Sequence, residues 1–315
     1  MFFRNLTFFR FPPSMGKALE LLEDRLSEHP LKPVGPLELG SRGFVPPLGS
    51  EGTLMTHRLG PHTWVTLGRQ DRLLPASVVN EALAHKLAEI EAKEGRKLGG
   101  KARKQLKDDL IHEMLPKAFV KGTRISASID SANGFVAVDA SSKKAAEGVL
   151  SEIRHAMGSF PAVPVNAEVS ARAVMTSWLT GAALPEGLVL GDECELKDPV
   201  DGGAAVKASR QELTADEITK HVETGKQVTR IALVLNERVS FVFGEDLIVR
   251  KLKLLDGAVD QLESVDRDSL AAELDARYAL FSAELASIFL GLSGPSRSRG
   301  SNDAQRLARA RQNLG

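Results

Sequence analysis

Lys93–Arg124 reads KEGRKLGGKARKQLKDDLIHEMLPKAFVKGTR. Lys93, Arg96, Lys97, Lys101, Arg103, Lys104, Lys107, Lys117, Lys121 and Arg124 stand against Glu94, Asp108, Asp109 and Glu113. That is ten positive groups against four negative, net +6, in a 315-residue chain whose formal charge is zero. The same stretch sets the fold expectation. Leu106, Leu110 and Met114 recur at helical spacing over 101–115, and Pro116 ends that helix. Upstream, Val79, Leu83, Leu87 and Ile90 share one face of a helix over 77–94. Gly95 and Gly99-Gly100 separate the two. Two amphipathic helices with narrow apolar stripes make a helical hairpin, an arm over 76–119 that needs a partner for its stripes.

Working outward, the flanks read as strands. Phe2–Phe11 is Phe-rich and ends at Pro12-Pro13. Ser14 starts a helix to about Glu28, with Leu19, Leu22 and Leu26 on one stripe. The segments 53–58 and 63–69 form a hairpin about Gly60-Pro61. The segments 124–130 and 134–139 form another, where Asn133-Gly134 supplies the positive φ angles. Ser141 or Ser142 caps a helix to about Met157, and 162–165 is a short strand. A helix over 169–179 and strands over 187–196 and 204–209 follow. Thr214 and Glu217 have the spacing of a capping box for a helix to about Thr224. Strands over 227–235, 239–243 and 248–254 make a meander with turns at Asn236-Glu237 and Glu245-Asp246. A long helix starts at Asp266 or Ser269 and carries Leu270, Leu274, Phe281, Leu285 and Ile288.

The expected class is α+β, with mixed, mainly antiparallel sheets and a projecting helical hairpin, not a doubly wound sheet. The expected domains are 1–75 with 120–168, the arm at 76–119, and a second α+β unit at 169–293. A disordered basic tail is expected at 294–315.

Composition narrows function. No run of 18 apolar residues suggests a membrane span, and MFFRNLTFFRF, interrupted by Arg4, Asn5 and Arg10, does not read as a signal peptide. Cys194 is the only cysteine, so paired-cysteine metal sites are out. A cytoplasmic protein without cofactor or membrane is expected. A neutral chain with segregated positive charge fits one polyanion-binding face, although a lysine-rich helix face is also what an ordinary solvated helix presents.

The candidate DNA-binding residues in the window are Lys97, Lys101, Arg103, Lys104, Lys107, Lys117, Lys121 and Arg124. Phe119 among lysines can stack on or wedge between bases, or be buried in a core or an interface. A second cluster joins Lys207, Arg210, Gln211 and Lys220, where side chains and helix-start amides can donate to phosphate oxygens. Acid collects at Glu186, Asp192, Glu193, Glu195, Asp198 and Asp201, and again at Asp256, Asp260, Glu263, Asp266, Asp268, Glu273 and Asp275. These groups are expected on outer surfaces. Glu195-Leu-Lys197 also fits a rival, a magnesium-dependent nuclease, because alternation puts carboxylate and lysine on one face of a strand. A third reading docks an acidic protein on the arm. His57 and His62 flank a turn and do not make a zinc site, and no phosphate loop or nucleophile elbow is present.

The order of motifs carries more than any one of them. MFFRNLTFFR at the start, GFVPPLGS at 43–50, Leu-Pro-Lys-Ala-Phe at 115–119, the D-x-x-N-G turn at 130–134, HAMGSFPAVPV at 155–165 and RQELTADEITKHVETGKQVTRIAL at 210–233 together resemble the recombination-associated RdgC family. The resemblance runs to about residue 290. It implies a ring-shaped homodimer of mixed α/β fold. Such a dimer binds double-stranded DNA with little sequence preference through a basic central hole, single strands being a further candidate. It also implies antagonism of RecA and nucleoid association, and the absence of a catalytic constellation in the residues themselves suits a binding protein. Phe119 matches the family's aromatic residue. Arg210 and Gln211 match its basic-Gln pair, with Arg where the family has Lys, which keeps the charge and changes the donor geometry.

Overall fold

The structure, a computed structural model, describes residues 3–49, 52–167, 169–200, 203–258 and 270–293. Asp201, the acids from Asp260 to Asp268, the start of the long helix and the 294–315 tail lie outside the described residues. The chain divides into two compact units. One holds Phe9–Val163, and the other holds the segments through Phe8 and from Pro164.

The Phe9–Val163 unit is built on an antiparallel sheet. Its strands are β1 (Thr7–Arg10), β2 (Gly40–Val45), β3 (Thr56–Leu59), β4 (His62–Leu73), β5 (Phe119–Asp130), β6 (Phe135–Val138) and β7 (Val163–Pro164). The order is β2-β4-β5-β6-β1-β7, with β3 also paired to β4. The chain passes between the units within β1 and β7. The β3–β4 turn at Gly60-Pro61 and the β5–β6 turn at Asn133-Gly134 stand where expected. Gly134 has φ +66, and a Cβ there would meet the Phe11 carbonyl at 2.8 Å. Asp130 closes that turn by accepting from the amides of Ala132 and Asn133, each at 2.9 Å.

The core lies under the proximal halves of β4 and β5. Val65, Leu67, Ala127, Ile129, Val136 and Val138 face Val149, Leu150 and Ile153 of α5 (Lys143–Met157). Ser142 caps α5 through the Ala145 amide, and Gly158 at φ +73 ends it. The expected helix over 14–28 is broken into a 3-10 turn, α1 (Gly16–Glu20) and α2 (Leu22–Ser27). Leu19, Leu22 and Leu26 still fill the core.

The second unit carries an antiparallel sheet in the order β12-β11-β10-β8-β9. Its strands are β8 (Leu188–Lys197), β9 (Ala205–Ser209), β10 (Gln227–Leu235), β11 (Val239–Gly244) and β12 (Val249–Leu254). Asn236 and Glu237, with φ 51 and 58, make the tight β10–β11 turn. The N-terminal segment runs beside β12, where the Leu6 amide donates to the Val249 carbonyl at 2.8 Å and the Leu6 carbonyl accepts from the Val249 amide at 3.0 Å. The long helix is described over Leu270–Ser293. It buries Tyr278, Phe281, Leu285 and Ile288, and Phe281 meets Phe3 edge-on at 5.1 Å. This unit also carries α6 (Ala171–Leu179) and α7 (Asp216–Glu223).

Candidate nucleic-acid interface

β4 and β5 pair over their whole length, from His62 with Asp130 to Leu73 with Phe119. Between those last two partners the chain leaves and returns as α3 (Ala76–Glu94) and α4 (Gly100–Met114). The helical hairpin expected from the sequence is therefore mounted on the end of the β4–β5 pair, with β2 alongside β4 as far as Asp71. At 1.5 Å per residue its helices are about 28 and 22 Å long. Gly95 at φ +68 ends α3 in the left-handed conformation that favours glycine. Pro116 tightens the end of α4 into a 3-10 turn over Leu115–Lys117.

The hairpin's own packing is thin. α3 buries Val79 and Leu83, and α4 buries none of its residues. Polar bonds supplement the apolar stripe. Lys107 Nζ reaches Asn80 Oδ1 across the pair at 3.1 Å, and Gln105 donates to Asp109 at 2.9 Å. Arg72 on β4 holds the foot of the arm. Its Nη1 donates to the carbonyls of Leu115, Pro116 and Ala118 at 3.0, 3.3 and 3.3 Å, while Nε and Nη2 reach the Gly35 carbonyl.

The basic residues divide by what they touch. Lys97, Lys107 and Lys117 have partners in Glu91, Asn80 and Glu113. Arg124 donates to the Pro46 carbonyl. Lys101, Arg103, Lys104 and Lys121 are exposed, and among the described residues none of them has an ion pair or side-chain hydrogen bond. Lys101 and Lys104 lie three residues apart on one face of α4.

Phe119 is not at the end of the arm but is the first residue of β5, and it is 84% exposed. A role in this chain's own core is ruled out. Strand alternation puts Phe119, Lys121 and Thr123 on one face of the β4–β5 pair and Val120, Gly122 and Arg124 on the other. Arg124 therefore does not share a face with Phe119. On its side, glycines 68 and 122 leave a shallow cavity of about 570 Å³, bounded by Leu31, Val45 and Arg124.

Arg210 and Gln211 belong to the other unit, just past β9. Both are exposed, and Arg210 stands at φ 58, a left-handed conformation uncommon for arginine. The capping box expected after them is not formed. α7 begins at Asp216 behind Ala215, and the Thr214 hydroxyl donates to Glu212 Oε1 at 2.7 Å. Asp216 and Glu217 occupy the first turn of α7, where their negative charge disfavours a phosphate at the helix start.

Glu195 corrects the expectation of an outward acid. Its side chain is 12% exposed, enclosed by Lys197 Nζ at 3.2 Å, Arg230 Nη1 at 3.5 Å and Lys207 Nζ at 3.9 Å. Burial alone would raise its carboxyl, but the Lys197 hydrogen bond and the three positive charges hold it below the usual carboxylate range. The nuclease geometry is met only so far as Glu195 and Lys197 share a face. Among the described residues no three His, Cys, Asp or Glu side chains gather as metal ligands. Burial pushes the Cys194 thiol up to about 11, which leaves it a neutral core residue. Arg230 and Arg72 were not singled out from the sequence. Arg230's position opposite Glu195 emerges only from strand register. Among the described residues no helix is long and apolar enough to cross a membrane.

Residues 1–294 match the family described as "Putative exonuclease, RdgC". The chain is 58% identical over 291 residues to the recombination-associated protein RdgC of Xanthomonas campestris pv. campestris (strain B100). It is 57% identical to that of Xanthomonas oryzae pv. oryzae (strain MAFF 311018) and 56% to that of Stenotrophomonas maltophilia (strain R551-3). In each case the match covers 92% of this chain and 96% of the relative.

Proposed function

The chain belongs to the RdgC family, and on that premise we propose that it binds double-stranded DNA without sequence preference as a homodimer that encircles the duplex. The observation that carries this reading is the α4 surface. Lys101, Arg103 and Lys104 are exposed and, among the described residues, unpaired on a helix that buries none of its residues. Positive groups that neutralise no protein carboxylate are available to phosphates. The arm's narrow apolar stripe and the exposed Leu73–Phe119 pair support a second copy as the partner that completes the ring. Lys97, Lys107, Lys117, Lys121, Arg124, Arg210 and Gln211 add contacts to the DNA, and Phe119 acts at the dimer contact or on bases. By occupying duplex DNA the protein limits access of RecA and so moderates recombination in the nucleoid.

Charge reversal of Lys101, Arg103 and Lys104 together tests the reading. Affinity for two unrelated duplex sequences should fall in parallel, with no change in thermal stability. Unchanged affinity would remove the arm from the DNA surface.

A nuclease reading has one support, the family's printed description as an exonuclease, with Glu195 and Lys197 as the candidate pair. The three cations around Glu195 favour phosphate binding over metal binding at that carboxylate. Magnesium-dependent shortening of linear duplex DNA, abolished by Glu195→Ala, would reverse that preference.

A further inference from the structure

The outer face of the second unit's sheet carries an organised group of cations that the arm does not explain. Register places Glu195 directly opposite Lys207 of β9 on one side and Arg230 of β10 on the other. Lys197 follows two residues along the same strand, hence on the same face. Cys194 and Leu196, which flank Glu195 along the strand, are buried. Between β8 and β10 the register shifts by one residue between Val228 and Arg230, which brings Arg230 rather than Thr229 opposite Glu195.

We infer that this sheet face is a second phosphate-binding surface, on which Lys197, Lys207 and Arg230 contact the DNA backbone while Glu195 holds them in place. The inference rests on the duplex-binding reading above. Three cations surround one carboxylate, leaving net +2. Glu195 is too enclosed to meet a ligand itself, whereas the side chains of Lys197, Lys207 and Arg230 are 42%, 74% and 48% exposed. Glu195 is thus a positioning residue. It offsets repulsion among the three and restricts their rotamers before DNA arrives, which lowers the ordering cost of binding.

The neighbouring acid on this face is neutralised as well. Lys251, at φ 53 where β12 shifts register, places Nζ 2.5 and 2.7 Å from the Glu193 carboxylate. Among the described residues the nearest cross-strand partners of this group are polar: Gln227 stands opposite Lys197 and Ser209 opposite Glu193. Strands lie about 4.8 Å apart, so the cations spread over roughly 10 Å, a span suited to successive phosphates. A protein partner would be expected to need an apolar anchor as well, and these positions supply none.

The test is a duplex titration of the full chain carrying Lys197→Ser with Lys207→Ser. A second variant adds Glu195→Gln, so that no uncompensated carboxylate unsettles the fold. In both, affinity for a random-sequence duplex should fall at least about tenfold near 0.1 M salt. The slope of log affinity against log salt should shrink by about 2. Unchanged affinity and slope, while charge reversal of Lys101, Arg103 and Lys104 still weakens binding, would overturn this inference alone. No duplex binding by the unaltered protein at low salt would overturn the functional reading and this inference with it. Loss of binding to a labelled poly-glutamate peptide with duplex affinity intact would replace DNA by an acidic protein partner at this face.

Discussion

Arg72 donates from Nη1 to the Leu115 carbonyl at 3.0 Å, tying the strand that enters the arm to the turn that leaves it. The carbonyls of Leu115, Pro116 and Ala118 lie just past α4, and the Leu115 oxygen also accepts from the Ala118 amide at 3.1 Å. One guanidinium serves all three and the Gly35 carbonyl as well. No lysine can do this, because an ammonium lacks the planar fork of donors. Arg72→Ala should cost about 2 kcal/mol, and Arg72→Lys should recover little of it. Urea unfolding gives the cost. Hydrogen exchange should show faster opening at 115–120, and unaltered protection there would refute the anchoring role.

Phe119→Ser should leave the folding stability of the isolated chain within about 0.5 kcal/mol, since the ring is 84% exposed. Its effect should be on association or DNA binding. Sedimentation separates these outcomes: monomers place Phe119 at the dimer contact, and a persisting dimer with weakened DNA binding places it on DNA. A large loss of folding stability would mean that the ring packs inside the chain.

Glu23 links α2 to β3. Its carboxylate accepts from the Met55 amide at 3.0 Å, and from the Thr56 amide and hydroxyl at 2.7 Å each. Burial would raise its pKa, but bonds from Thr56, Met55 and Ser27 outweigh that and hold it below the ordinary 4.5. A lowered folded-state pKa stabilises the fold above the unfolded value, and the gain is lost as pH falls through 4.5 and the folded value below it. Glu23→Gln should cost about 1–2 kcal/mol at neutral pH and flatten the acid side of the stability profile. An acid limb identical in both proteins would contradict this.

Gly43 permits a close approach of backbones. A Cβ there would lie 2.5 Å from Leu31 N and from the Pro30 carbonyl, where Phe44 exchanges hydrogen bonds with His29 and Leu31. Gly43→Ala should cost about 1–3 kcal/mol through that overlap, measured as a lowered urea midpoint. A neutral effect would mean that the segment shifts freely.

Much of this was legible in one dimension. The stripe through Val79, Leu83, Leu87 and Ile90 located α3, and Asn133-Gly134 located a hairpin turn, because both signals are local. The start of β5 at Phe119 was not legible. Phe119–Arg124 includes Gly122 and lacks alternating burial, and it becomes a strand because β4 supplies a partner across the sheet. The capping box failed for a similar reason: Thr214 has the right spacing, but Glu212 takes its hydroxyl and the helix starts later. In the candidate site, the net charge of the arm was readable, but which of its cations remain unpaired was not. Glu195 looked like an exposed acid or a metal ligand because its neighbours Lys207 and Arg230 come from other strands.

The central claim is tested most directly by fluorescence anisotropy of a labelled random-sequence duplex, titrated with the unaltered protein at several salt concentrations. Neutralising about six phosphates predicts a slope near −5 for log affinity against log salt, independent of sequence. Absence of binding at low salt, or affinity indifferent to salt, would contradict it.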